Sequence, residues 1–378
     1  MNGKELRPLA PGATVGIMGG GQLGRMIALS AAELGYRAAT FCEGPDDPAA
    51  QVCHHAVVAA YDDQLALEQF TSLVDVVTFE FENIPAGTAS WLSAKSVVRP
   101  NPEILAIAQD RILEKTFLND AGIETAPWAE LSEDHGTEAA LEKIGKNGVF
   151  KTARFGYDGK GQAAVHGKAE LDAAWRAVGT TRAVAEGFVD FECEISVIVA
   201  RGADGEISCF EVVENQHARH ILDTTIAPAR INAEIADAAI AIAKKIATSL
   251  SLVGLIAVEM FVTKDGRVLV NEIAPRPHNS GHWTIDACVT SQFEQLVRAV
   301  CGLPLGAPRR HSNAVMRNLI GEDVDRWPQI AADPENKLHI YGKGETRPGR
   351  KMGHVTRLFP LSAEWEFGTI DAAKLAMS

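Results

Sequence analysis

Glu259 and Glu272 stand at matching positions in the run LIAVEMFVTKDGRVLVNEIAPR, where Asp265-Gly266 is a two-residue hairpin signal between alternating apolar stretches. Counting outward from that turn pairs Lys264 with Arg267 and sets Glu259 directly across from Glu272. Phe261, Thr263, Val268 and Val270 on the same face are mostly apolar, so the two carboxylates repel unless a cation compensates them. Mg²⁺, which takes one or two carboxylates plus substrate phosphate oxygens, suits such a pair. The plainer reading is an exposed pair at a sheet edge or one shared proton, and a single bulge would part them.

Three further stretches carry polar chemistry. Lys151 to Gln162, KTARFGYDGKGQ, sets Gly156, Gly159 and Gly161 among Lys151, Arg154 and Lys160. Backbone N–H groups and ammonium charges in such a loop can cover a polyphosphate, although solvated lysines on a β-turn would look alike. The GxxxxGK[ST] spacing is missing and the flanks read as strands, so it is not a Walker loop. In APRPHNSGHWT, Arg276 can fork onto an oxyanion while His278 and Asn279 donate around it, unless the loop merely stabilises itself. The segment His339 to Lys351 gathers His339, Lys343, Arg347, Arg350 and Lys351, enough charge to hold a phosphate monoester or simply a solvated run. Gly19-Gly20-Gly21-Gln22-Leu23-Gly24 satisfies GxGxxG, with Glu43 closing the following strand, which leaves a dinucleotide, another polar ligand or tight packing open.

These residues need elements to position them. The first hundred residues alternate short β-rich runs (TVGIM, AATFCE, HHAVVA, VDVVTFEF, SVVRP) with helical patterns from about Gln22 and Asp63, the βαβ rhythm of a parallel sheet. Pro102 to Gly122 reads as one helix, with a domain boundary near residue 110. From about Thr125 to Val184 the order strand, helix, strand, glycine loop, strand, helix, strand suits a small α+β lid. Strands around Cys193 to Val213, a helix over Ala233 to Ser249 and the Leu255 to Ile273 hairpin follow, with a smaller piece after about residue 305.

A chain of 378 residues is long enough for two or three packed domains, and 46% hydrophobic with 22% charged residues is ordinary globular composition. Its net charge of -13 argues against a nucleic-acid surface. No stretch is apolar enough to span a membrane and the amino terminus lacks a secretory core, so a cytoplasmic protein is expected. Six scattered cysteines without a CxxC pair fit reduced thiols rather than a zinc site. The flap and the facing glutamates together suit metal-assisted phosphoryl transfer rather than hydride transfer.

GGGQLGRM, QDR, KTARFGYDGKGQ, VEMF with VNEIAPRPHNSGHWT, and YGKGETRPGRKMGH, in this order, resemble the N5-carboxyaminoimidazole ribonucleotide synthetase family, ATP-grasp enzymes of microbial purine biosynthesis. The likeness runs from about Val15 to about Thr356, and its first and last motifs belong to this family rather than to ATP-grasp enzymes generally. It implies an α/β and α+β ATP-grasp architecture. A Rossmann-like domain would span 1–110, an ATP-grasp domain 111–300 with its lid at about 123–188, and a C-terminal small domain 301–378. A homodimer is also implied. The implied reaction uses ATP and bicarbonate to carboxylate 5-aminoimidazole ribonucleotide through carboxyphosphate, releasing ADP and phosphate.

Residue by residue, the resemblance puts Arg111 and Lys151 on ATP, the loop Gly156, Tyr157, Asp158, Gly159, Lys160, Gly161 and Gln162 over its phosphates, and Glu186, Gly187, Phe188 and Val189 at the adenine hinge. Glu194 would bind the ribose, with His217 and Asn271 also at the nucleotide and Glu259 and Glu272 holding Mg²⁺. Arg276, His278 and Asn279 match the bicarbonate or carboxyphosphate site. Gly20, Gln22, Leu23, Glu80, Tyr157 and Asp158 match the ribonucleotide site, with Lys343 and Arg350 on its phosphate and Asp158 taking a hydrogen bond or proton from the attacking amine. His217-Ala218-Arg219-His220 departs from the family, where a basic and acidic pair and then glycine follow the histidine. A formate-dependent glycinamide ribonucleotide transformylase would share the flap and carboxylates but not the two end motifs. A dinucleotide-dependent dehydrogenase would use Gly19 to Gly24, and a non-catalytic nucleotide-binding module would not need both metal carboxylates and both flap lysines.

Overall fold

The structure, a computed structural model, describes residues 7–132, 136–156 and 161–362. Its first sheet is parallel, in the order β3-β2-β1-β4, from β1 (Thr14–Met18), β2 (Arg37–Cys42), β3 (His55–Val58) and β4 (Val76–Phe79). Helices α1 (Gln22–Glu33) and α2 (Gln64–Leu73) make its crossovers, and α3 (Ala86–Lys95) follows. The order reverses at β1 and β4, so their carboxyl ends flank the crevice where such sheets place ligands. SVVRP contributes only a bridge of Val98 to Val77.

The helix expected over Pro102 to Gly122 is two helices, α4 (Pro102–Gln109) and α5 (Arg111–Asp120). Asp110 breaks it because its side chain caps the second, accepting from the Ile112 and Leu113 N–H groups at 3.0 and 3.3 Å. The lid follows in the expected order: β5 (Trp128–Ser132), α6 (Thr137–Ile144), β6 (Asn147–Thr152), β7 (Gln162–His166), α7 (Leu171–Val178) and β8 (Arg182–Gly187). Its antiparallel sheet runs β5-β8-β6-β7 over its own apolar cluster around Leu131, Phe150 and Val165.

The third sheet has nine strands, all antiparallel to their neighbours. They are β9 (Phe191–Arg201), β10 (Ile207–Cys209), β11 (Val213–Ala218), β12 (Ile221–Ala227), β13 (Gly254–Thr263), β14 (Val268–Ala274), β15 (Asn313–Ile320), β16 (Asn336–Ile340) and β17 (Lys351–Phe359). The path is β14-β13-β9-β11-β12-β15-β17-β16 with β10 beside β9, so the C-terminal strands extend the same sheet rather than forming their own. Helices α8 (Ala233–Ser249), α9 (Thr284–Ala287), α10 (Gln292–Cys301) and α11 (Trp327–Ala332) complete the chain. One apolar core joins Ile17 and Ile27 of the first unit to Leu255, Phe293, Leu296 and Met316. No helix of the described residues is long and apolar enough to cross a membrane, and all six cysteines are free thiols.

The β13–β14 hairpin reaches the expected pairing by an unexpected route. Gly266, at φ 82°, makes a three-residue loop in which Thr263 N–H donates to Arg267 O (2.9 Å) and Gly266 N–H to Thr263 O (2.8 Å). The loop moves the register by one, so Val262 faces Val268 and Phe261 faces Leu269, not Val270. A bulge at Asn271 then moves it back, and Glu259 faces Glu272 after all. Helix α5 holds the bulge: Lys115 Nζ donates to Asn271 O (3.0 Å), and Glu114 accepts from Ile273 N–H (2.7 Å).

Arg219 and His220, at φ 53° and 65°, turn β11 into β12 where the family pattern carries glycine. Side chains with a Cβ are disfavoured in this left-handed region. His220→Gly is expected to stabilise the protein by about 1 kcal/mol. Thermal unfolding should rise by roughly 2 °C, and an unchanged or lower midpoint would refute the strain.

Candidate active site

At the crevice between β1 and β4 the glycine loop serves a protein carboxylate. Glu80 accepts from the Gly21 N–H (2.6 Å) and the Gly24 N–H (3.0 Å) at the start of α1. A Cβ on Gly19 would collide with Glu80 Cγ, and one on Gly21 would lie 2.7 Å from Glu80 Oε1. The glycines therefore make room for Glu80. A dinucleotide phosphate would find these donors taken and a carboxylate in its place, which removes the dehydrogenase reading. Burial raises the Glu80 carboxyl above its usual range against the pull of the two N–H groups. Leu23 points into the core, leaving its backbone for a ligand, while Gln22 is half-buried.

A cavity of about 370 Å³ lies between the lid and the nine-stranded sheet. Arg111, Lys151, Gly156, Gly161, Gln162, Glu194, His217, Glu259, Asn271, Glu272, Arg276, His278 and Asn279 all line it, so most of the expected nucleotide and bicarbonate residues converge. Tyr157, Asp158, Gly159 and Lys160 lie outside the described residues.

Each facing glutamate has its own protein cation or donor. Glu272 meets Arg111 Nη1 at 3.1 Å, and Glu259 meets His278 Nε2 at 2.9 Å. Burial works against ionisation of Glu259, but the His278 contact together with the charges of His217 and Arg276 lowers its carboxyl below the usual range. Two adjacent hard oxygen donors beside Asn271 fit a divalent cation that also touches phosphate.

Glu186 does not point into the cavity. Its carboxylate sits with Lys151 (2.9 Å) and the fully buried Lys115 (3.6 Å), held down to about 2 by these ammonium groups despite burial. Its backbone lies in the lid sheet opposite Trp128 and Val149, and of the expected hinge that follows, Gly187 N–H bonds Pro127 O (2.7 Å) while Phe188 is exposed. Glu194 of β9 pairs with His217 Nδ1 of β11 at 3.1 Å. Burial opposes the His217 charge, but Glu194 raises its pKa above the usual value. Glu114, pushed by burial up to about 8, is a neutral acid at pH 7.

Arg276 bonds Glu82, and its charge is also felt by Glu80 and Glu272, which puts it at the junction of the first-sheet crevice and the cavity. Asn279, only 9% exposed, leaves both its amide oxygen and nitrogen without a partner.

Lys343 comes from the far end of the chain to the Glu80 crevice. Burial and the neighbouring Arg350 lower its ammonium to about 8, against the pull of Glu80. Gln51 Nε2 ties this segment down through Gly342 O at 2.8 Å. Arg350 donates to Glu345 O (2.8 Å), and Arg347 turns outward to Glu345. Below lies a stack of imidazoles in which Asp286, His339 and His354 bring ligand atoms within 4.8 Å of one another. The His339 and His354 rings are nearly parallel, 15° apart with centroids 4.5 Å apart, so their in-plane lone pairs cannot converge on one ion. His339 Nε2 bonds Asp286 (2.8 Å) and His354 Nδ1 bonds Tyr341 OH (2.8 Å), which makes the group packing rather than a metal centre.

Sequence reasoning gave no site role to Glu82, Gln109 and His220 in the cavity wall or to Glu114 and Lys115 behind it, and it read Lys351 as part of a phosphate-holding run rather than as a wall of this cavity. Glu114 and Lys115 carried one usable signal: with Arg111 they fall at i, i+3 and i+4, one face of a helix.

Residues 12–109 match the ribonucleotide synthetase preATP-grasp domain, residues 116–293 the ATP-grasp domain, and residues 314–366 the phosphoribosylaminoimidazole carboxylase C-terminal domain. The N5-carboxyaminoimidazole ribonucleotide synthase of Brucella melitensis is 49% identical over 354 residues, 93% of this chain and 98% of its own. That of Bacillus subtilis is 44% identical over 359 residues, 94% of both chains. The crystal structure of an ADP complex of an N5-carboxyaminoimidazole ribonucleotide synthetase superposes with a TM-score of 0.90 at 43% identity, covering 93% of this chain and 94% of the other. The Aspergillus clavatus N5-carboxyaminoimidazole synthase, in complex with ADP and 5-aminoimidazole ribonucleotide, superposes at 0.87 with 30% identity, covering 93% and 94%. Likeness of this extent, spanning all three matched domains, means that the chain belongs to the N5-carboxyaminoimidazole ribonucleotide synthetase family of ATP-grasp enzymes.

Proposed function

We propose that this protein carboxylates 5-aminoimidazole ribonucleotide to N5-carboxyaminoimidazole ribonucleotide, consuming ATP and bicarbonate and releasing ADP and phosphate, as a ligase of purine biosynthesis. The observation that carries the reading is the position of Arg276, between the Glu80 and Lys343 crevice on one side and the facing glutamates on the other. A carboxyl group activated beside Arg276 has an acceptor site within reach.

ATP lies in the cavity, with Arg111 and Lys151 on its phosphates, Gly156 to Gln162 over them, and Glu194, His217 and Asn271 lining the same space. Glu259 and Glu272 would hold Mg²⁺, which when bound offsets charge on the transferring phosphoryl group. Arg276, His278 and Asn279 take bicarbonate and the carboxyphosphate made from it. Asn279 fits this role because an amide with both atoms unpartnered can donate to an oxyanion and accept from the bicarbonate hydroxyl. Gly20, Gln22, Leu23 and Glu80 take the ribonucleotide, Lys343 and Arg350 its phosphate, and Tyr157 and Asp158 its amine side. A closed lid keeps water from the mixed anhydride.

The proposal includes three units, 1–110, 111–300 with the lid at about 123–188, and 301–378, supported by the limits of the three matched domains. A cytoplasmic homodimer is part of it, on family likeness.

ADP release with ATP, Mg²⁺ and bicarbonate should depend on 5-aminoimidazole ribonucleotide and vanish in Glu272→Ala. Release that ignores the ribonucleotide would show the acceptor to be wrong. A second expectation follows from Lys343, whose charge is complete below about 8 and lost as pH rises through that value. The KM for the ribonucleotide should climb above about pH 8 while that for ATP does not, and Lys343→Arg should carry the plateau to higher pH. A flat wild-type profile to pH 9.5, roughly a unit and a half above the lysine's own value, would remove Lys343 from the phosphate site.

A further inference from the structure

Four polar side chains sit inside the nine-stranded sheet where apolar residues would pack. Thr225 of β12, Asn215 of β11, Ser196 of β9 and Ser280 of the loop after β14 are at most 5% exposed. They touch in series: Thr225 Oγ1 to Asn215 Oδ1 (3.1 Å), Asn215 Nδ2 to Ser196 Oγ (2.9 Å), and Ser196 Oγ to Ser280 Oγ (2.7 Å). Ser280 Oγ then lies 2.8 Å from His278 Nδ1, and His278 Nε2 lies 2.9 Å from Glu259. Nothing in the reaction as proposed above uses the first four groups. Buried hydroxyls and amides are costly unless bonded, so a complete row of them calls for a reason.

Hydroxyls donate and accept, so such a row can run in either direction if the Asn215 amide is flipped. Its two ends decide. The Ser280 backbone N–H, which can only donate, points at His278 Nδ1 from 3.3 Å. Glu259 turns a carboxyl oxygen, an acceptor, to Nε2 at 2.9 Å. Reversal would set an Nδ1 proton against the Ser280 N–H and an Nε2 lone pair against a carboxylate.

We infer that the Thr225, Asn215, Ser196 and Ser280 row is a positioning device that fixes His278 as its Nε2–H tautomer and so presents an N–H donor, not a lone pair, to the bicarbonate-binding end of the cavity. Thr225 donates to Asn215, Asn215 to Ser196, Ser196 to Ser280, and Ser280 to Nδ1, leaving the ring proton on Nε2. An anion such as bicarbonate is held by a donor and repelled by a lone pair, so the tautomer matters most for that substrate. The inference rests on the proposed bicarbonate role of His278, but the ring proton can be located without any substrate.

Nitrogen-15 NMR of the histidine rings in the full chain, with His278 assigned by loss of its signals in His278→Gln, should show a protonated Nε2 and a bare Nδ1. In Ser280→Ala the ring should become a mixture of tautomers, and the KM for bicarbonate should rise by about tenfold while that for ATP stays within about twofold. Ser196→Ala leaves Ser280 against the ring but removes the donor that commits its hydroxyl. It should give the same changes at smaller amplitude, and it carries the test if Ser280→Ala does not fold. A proton on Nδ1 in the wild type, or variants that leave the ring shifts unchanged, would overturn the inference whatever the activity. A changed tautomer with an unchanged bicarbonate KM would overturn its link to that substrate. ADP formation independent of bicarbonate would instead count against the enzymatic reading.

Discussion

Placing Glu259 and Glu272 side by side on neighbouring strands is the constraint around which the rest of the cleft is arranged. Two carboxylates at that spacing repel, and partial burial strengthens the repulsion. The fold answers with Arg111 from α5 on one and His278 from the following loop on the other. Helix α5 does more than supply a charge. Its Lys115 and Glu114 bind the carbonyl of Asn271 and the N–H of Ile273 on either side of Glu272, so from one helix face Arg111 neutralises that carboxylate while Lys115 and Glu114 fix its backbone. The Asp110 cap that splits the helix starts α5 at Arg111, level with its target.

A similar economy joins the two ends of the chain. Glu80 leaves β4 to cap α1, and Lys343 is carried back to it by the C-terminal strands because they continue the central sheet. A crevice built from residues so far apart in sequence depends on the shared core through Ile17, Leu255, Phe293 and Met316. Displacing the C-terminal strands would remove the lysine from the glutamate and leave Glu80 with the α1 glycine donors and the charge of Arg276 alone.

The fold was legible wherever one periodicity governed a segment. Four of the five β-rich runs, the order of lid elements and the limits of the helix over Ala233–Ser249 follow from spacing alone. The hairpin shows how such reading reaches its limit: the Asp265-Gly266 signal suggests a two-residue turn, the chain makes three, and a bulge at Asn271 restores the pair. No local pattern announces that bulge, since it exists because α5 provides a donor and an acceptor from more than a hundred residues away. The glycine loop was ambiguous for a related reason. Its donors serve a carboxylate that only the tertiary fold brings near. Ser196 and Asn215 escaped notice because single polar residues in a strand look like solvent-facing positions until the opposite face is covered.

Charge balance in the cleft bears on which ligands it admits. Arg111, Lys151, Arg276, His278 and His217, the groups proposed to face nucleotide or bicarbonate, each already hold a partner in Glu272, Glu186, Glu82, Glu259 and Glu194. Where the partner is a cation, as with Arg111, Lys151 and Arg276, an anion that brings only negative charge must take it from a carboxylate and leave that carboxylate uncompensated, at a cost of roughly 3–5 kcal/mol where the pair is buried. Under the proposed assignment a nucleotide carrying its own divalent cation would be different, because Glu259 and Glu272 would keep a partner as Arg111 and His278 turned to the phosphates and to bicarbonate. In a chain of net charge -13, such an exchange of partners would discriminate between metal-loaded ATP and the many other anions of similar size.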